Sequence, residues 1–153
     1  MPNSNDDEKA FRVLEEAVHK AQQSLEKTKH FQPFLMLLND AGDIEVFENE
    51  IKDSTKSYTL LENILKESIK MGDVDVMVLA VDTVIPENFV QDIPNGIRLH
   101  LEEKSQIDKK IAARFLYVPY ELCKVEEGEM YVRLHAPIAV GFPAEYIVKY
   151  DVI

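Results

Sequence analysis

Two segments of the chain set an arginine and a histidine two positions apart: Ile97-Arg98-Leu99-His100-Leu101-Glu102 and Tyr131-Val132-Arg133-Leu134-His135. Alternate side chains of a strand point to opposite faces, so Arg98, His100 and Glu102 share one face, as do Tyr131, Arg133 and His135. If the strand between them pairs with both, Tyr117 lies between the two polar sets. His100, Glu102 and His135 have the donor types of a divalent metal site. Arg98 and Arg133 could instead hold a carboxylate or phosphate. The same residues also suit a solvated sheet face, where arginine and glutamate pair across strands with no ligand present. A face covered by a second subunit would be a third use of them.

Other sources of chemistry are missing from the sequence. It has no G-x-S-x-G, H-E-x-x-H, phosphate-binding P-loop, G-x-G-x-x-G or C-x-x-C pattern. Cys123 is the single cysteine, which excludes an intramolecular disulfide and a four-cysteine metal site. It follows an apolar leucine with nothing beside it to stabilise a thiolate, and reads as structural. His19 and His30 carry no spacing signal. No cofactor is expected, and a resident metal only if His100, Glu102 and His135 converge.

The elements that must position these residues are legible. Residues 1–28 read as an amphipathic helix, with Ser4 and Asp7 at capping spacing and Phe11, Leu14, Val18, Ala21 and Leu25 as its apolar stripe. Pro33 stops the helix. Phe34 to Leu38 and Ile44 to Glu48 read as a hairpin around the turn NDAGD, in which Gly42 can take positive φ. That turn lacks the ligand order of a calcium loop. A second helix spans about 57–71, capped by Ser54 or Thr55 and buried through Leu61, Ile64, Leu65 and Ile69, with Gly72 to end it. VDVMVLAV from Val74 is apolar throughout, as a strand covered on both faces would be. Strands follow at 97–103, 112–118 and 130–136, with Pro119 marking an end or an edge. The tail FPAEYIVKYDVI fits a short strand or a helical turn equally well. The expectation is one α+β domain over residues 1–153, in the order α-β-β-α-β-β-β-β, with helices packed on a mostly antiparallel sheet.

Composition narrows the function. The chain has 28 acidic and 17 basic residues, a formal charge of −11. That field repels nucleic acid and anionic membranes, and Glu102, Glu103 and Asp108 break up the basic cluster of Lys104, Lys109, Lys110 and Arg114. No apolar run is long enough to span a bilayer, and the polar, acidic start MPNSNDDEKAF does not resemble a signal peptide. A cytoplasmic setting is expected.

The order of hairpin, helix and meander resembles the profilin-like and roadblock-like folds, which serve as small-molecule sensors or dimerising scaffolds. PFLMLLNDAGDIE at 33–45, IRLHLEE at 97–103 and VPYEL at 118–122 resemble features of a set of small bacterial α+β proteins with no established activity. These likenesses imply a fold and transfer no site residues. The leading expectation is a non-enzymatic protein-interaction or scaffold module that self-associates, as a homodimer, or binds a protein partner, with the first helix as the contact. The alternative is a ligand- or metal-binding domain using Arg98, His100, Glu102, Tyr117, Arg133 and His135.

Overall fold

The computed structural model describes residues 4–148 apart from 73, 90, 91 and 127. Helix α1 (Ser4–Thr28) leads into a hairpin of β1 (Phe34–Leu38) and β2 (Ile44–Glu48), followed by α2 (Ser54–Lys70). Then come β3 (Val76–Val84), β4 (Asn95–Glu103), β5 (Ala113–Lys124), β6 (Met130–Leu134) and β7 (Ile138–Phe142). The element order is the expected α+β order, continued by β7. The strands lie as β2-β1-β3-β4-β5-β6 with β7 also on β5, and every pairing is antiparallel. Among the described residues, no helix is long and apolar enough to cross a membrane.

Local chemistry explains the joints. Gly42 turns the hairpin at φ +89°, with the Asn39 side chain accepting from the Asp43 N–H at 3.0 Å. The cap of α2 is Asp53, not Ser54 or Thr55. Its carboxylate accepts from the N–H groups of Thr55 (2.9 Å) and Lys56 (3.2 Å) and places full negative charge at the helix N-terminus. The side chains of residues 4–7, and with them the Ser4–Asp7 pair, lie outside the described ones.

Strand alternation assigns the two helices to opposite faces of the sheet. Phe34, Met36, Leu38, Val76, Val78, Ile97, Leu99 and Val118 turn to α1, whereas Leu35, Leu37, Met77 and Leu79 turn to α2 with Leu61 and Leu65. The central strand β3 is therefore covered on both sides, as its unbroken apolar sequence requires. Helix α1 meets the sheet through Ala10, Val13, Ala17, Ala21 and Leu25, while Phe11 is 70% exposed and Leu14 and Val18 lie at the margin. The buried line is thus turned by about one residue from the stripe read off the larger side chains. Alanines at the contact let the helix lie close to the strands.

Pro119 does not end its strand. β5 runs through it, pairing first with β4 and then with β6. The Pro119 carbonyl accepts from the His135 N–H at 2.9 Å. A strand residue points its N and C=O to the same side, so the missing N–H of Pro119 faces the segment between β6 and β7. There the returning chain has one residue more than β5: Tyr120 pairs with Leu134, but Tyr117 pairs with Ile138. This bulge at 135–137 separates β6 from β7. The outer edge of β6 is closed by α1, where Glu26 accepts from the Val132 N–H (3.3 Å) and Gln22 donates to its carbonyl (3.4 Å).

Candidate functional site

Strand β4 sends Arg98, His100 and Glu102 to the α2 face, opposite Tyr117, Phe115 and Ala113 of β5. This face is not a solvated one: His100 and Glu102 are 1% and 0% exposed. It is covered by the chain itself, through the segment at 143–147 that follows β7.

Glu102 is what holds that segment down. Its carboxylate accepts the backbone N–H groups of Glu145 (3.1 Å), Tyr146 (3.0 Å) and Ile147 (2.8 Å), and lies 2.6 Å from His100 Nε2. Burial alone would push its pKa up, but His100 and the three N–H groups outweigh burial and leave it below the ordinary value. The carboxylate is therefore charged at neutral pH and fully hydrogen-bonded. The His100 ring is enclosed by Phe115, Phe142 and Tyr146, with centroids 5.1, 5.1 and 5.3 Å away.

Beside this anchor a cavity of about 470 Å³ opens between the sheet, the first turns of α2 and the 143–147 segment. Arg98 lines it. Its guanidinium carbon lies 4.7 Å from the Phe115 ring centroid and 5.9 Å from that of Tyr58. Arg98 Nε is buried with no hydrogen-bond partner, and no carboxylate among the described residues lies within ion-pair distance of the group. Tyr58 and Glu62, one helical turn apart on α2, line the cavity with Tyr146 and Glu145. The Tyr146 hydroxyl donates to the Glu62 carboxylate. Burial first, and then Glu62, push the Tyr146 phenol up. Burial also raises Tyr58, against the opposing pull of Arg98. Both phenols stay protonated at neutral pH, and the Tyr146 hydroxyl acts as a hydrogen-bond donor. Asp82, also in the cavity lining, is raised by burial, although it accepts from the Tyr120 hydroxyl at 2.7 Å.

Of the six residues singled out by the sequence, four are brought together here. Arg98 and His100 line the cavity, Glu102 anchors its cover, and Tyr117 is buried against Phe89 and Phe115. Arg133 and His135 stand elsewhere. Arg133 is exposed opposite Glu121, and His135 Nε2 lies 2.9 Å from the Glu121 carboxylate. Glu121 is six positions along β5 from Phe115, the residue opposite His100, a distance of about 20 Å. The two Arg–His sets therefore do not form one site. Among the described residues, no three His, Cys, Asp or Glu side chains are grouped closely enough to hold a metal ion.

Sequence reasoning missed Tyr58, Glu62, Phe115, Glu145 and Tyr146. The i, i+4 pair Tyr58 and Glu62 carried a legible signal, a polar patch on one face of a helix. Glu145 and Tyr146 carried none, because their segment forms no regular element and is positioned only by Glu102. No protein-family model, curated protein or solved structure was found to match the chain.

Proposed function

We propose that this chain is a non-enzymatic, cytoplasmic small-molecule-binding module whose cleft holds an oxoanion, a carboxylate foremost, on Arg98. The observation that carries this reading is the state of Arg98: a cation within reach of the Tyr58 and Phe115 rings, with a buried Nε that has no partner. A buried unpaired donor costs about 1–3 kcal/mol, a penalty that a bound acceptor relieves. Contact with the rings does not occupy the N–H groups of the guanidinium, which can donate two parallel hydrogen bonds to one carboxylate. The neighbouring groups suit holding rather than transforming a ligand, since the two phenols stay protonated and His100 Nε2 is committed to Glu102. The cytoplasmic setting is supported by the lone Cys123, which no disulfide protects.

The test is an NMR titration with acetate and, separately, with inorganic phosphate. Acetate is expected to shift the resonances of Tyr58, Phe115 and Tyr146 in the wild type and to leave them unmoved in Arg98→Met. A response to phosphate but not acetate would change the ligand class. No response to either anion would overturn the site.

Self-association remains a second reading on one observation, the 70% exposure of Phe11 beside the half-buried Leu14 and Val18. Native mass spectrometry decides it: a dimer that becomes monomeric in Phe11→Ser supports a helix contact, and a monomeric wild type ends the idea.

A further inference from the structure

The cleft carries charge of both signs. Arg98 comes from β4, Glu62 from α2 and Glu145 from the segment after β7, and all three line the same cavity. Tyr58 lies within electrostatic reach of each of them. Opposite charges this close ordinarily bridge in a partly desolvated space, yet among the described residues no ion pair joins Arg98 to either glutamate. The Glu62 carboxylate is pinned by the Tyr146 hydroxyl, and the backbone of Glu145 is pinned by Glu102. In this arrangement neither glutamate pairs with the arginine.

Such a cleft discriminates by charge. A simple anion binds at Arg98 but is held less tightly because Glu62 and Glu145 oppose it, and a simple cation drawn to the glutamates is opposed by Arg98. A molecule with both charges satisfies both walls. The cavity, about 470 Å³, lies in the range of ordinary small-molecule sites and exceeds what a carboxylate alone would fill. Phe31, Phe115 and the two tyrosine rings give its remaining lining an aromatic character suited to an apolar side chain.

We infer that the ligand is a zwitterion of amino-acid type, its carboxylate on Arg98 and its ammonium towards Glu62 and Glu145, an inference that rests on the reading of Arg98 as an anion anchor. The ligand then replaces the missing ion pairs of the cleft with its own two charges. A small molecule with a free amine and a free acid is the class that fits.

Calorimetric titration of the full chain with a panel of α-amino acids, β-alanine and γ-aminobutyrate, each beside its N-acetylated counterpart and beside acetate, tests this. At least one free amino acid is expected to bind about tenfold tighter than its N-acetylated form, the worth of one charged hydrogen bond. Glu145→Gln, at an exposed position, should shrink that ratio while leaving the N-acetylated form no weaker, and Glu62→Gln should do the same. Arg98→Met should abolish binding of both forms. If no panel member outbinds its N-acetylated counterpart while acetate still binds, the zwitterion is wrong and the anion site stands. If acetate also fails to bind, both readings fall together.

Discussion

Glu102 and Arg98 are two charged residues four positions apart on one strand, with opposite fates. Glu102 is buried with four hydrogen-bonding partners, three of them backbone N–H groups of the segment that covers the cleft. In Glu102→Gln, an amide nitrogen replaces one carboxylate oxygen and meets donors, so the variant should lose about 3 kcal/mol, read from the urea midpoint. The pH dependence has a definite sign. The folded-state pKa of Glu102 is lowered from 4.5, so its contribution is complete above that value and lost as pH falls through the lower, folded value. Below pH 4.5 the wild type should therefore lose stability more steeply than Glu102→Gln, and parallel acid scans would show otherwise. Arg98 has the reverse character, since its Nε is buried without a partner. Arg98→Met keeps an unbranched apolar stem and removes the guanidinium, with its ring contacts and its unpaired donor. Its unfolding free energy without ligand should stay within about 1 kcal/mol of wild type or exceed it. A large loss in thermal melts would mean that the arginine is structural, with a partner in the folded state.

At the scale of elements, α1 is the instructive case. Its contact with the sheet is a line of alanines flanked by Val13 and Leu25, and Ala17 is fully buried. Ala17→Leu forces extra methylenes into that contact and should cost about 2 kcal/mol. Phe11→Ala, at a 70% exposed position, should change stability by no more than about 0.5 kcal/mol. Equal effects in chemical denaturation would place the helix in the rotation that its larger residues suggest. Because α1 covers one face of the sheet and closes the edge of β6 through Gln22 and Glu26, removal of residues 1–28 should unfold the sheet rather than yield a soluble monomeric core.

At the scale of the molecule, one sheet separates two cores. The α1 core runs from β1 to β6, and the α2 core is confined to β1, β3 and the segment near Tyr146 and Ile147. Central strands lose protection from hydrogen exchange only with global unfolding, whereas edges open locally. Val76–Ala80 and Ile97–Leu101 should therefore exchange slowest, and β2, with its largely exposed face, fastest among the strands. Protection in β2 equal to that in β3 would indicate a partner covering that edge. The candidate cleft lies where α2 coverage stops and the 143–147 segment takes over, so it depends on the least regular part of the described chain.

By itself the sequence determined the element order and the identity of the buried strands, because apolar periodicity and turn residues act over neighbouring positions. It also determined that Arg98, His100 and Glu102 share a face, since strand alternation is strictly local. It did not determine what covers that face. His100 and Glu102 read as residues of a wet surface, and only the return of Tyr146 and Ile147, over forty residues later, buries them. Nor did it separate Arg133 and His135 from the first set, because distance along β5 depends on where β4 and β6 pair with it. The cleft is assembled from a helix, three strands and two irregular segments, and contacts between positions far apart in sequence leave no periodic trace in it. Tertiary packing alone brought Arg98 to two rings and set Glu62 and Glu145 around the same cavity without a bridge.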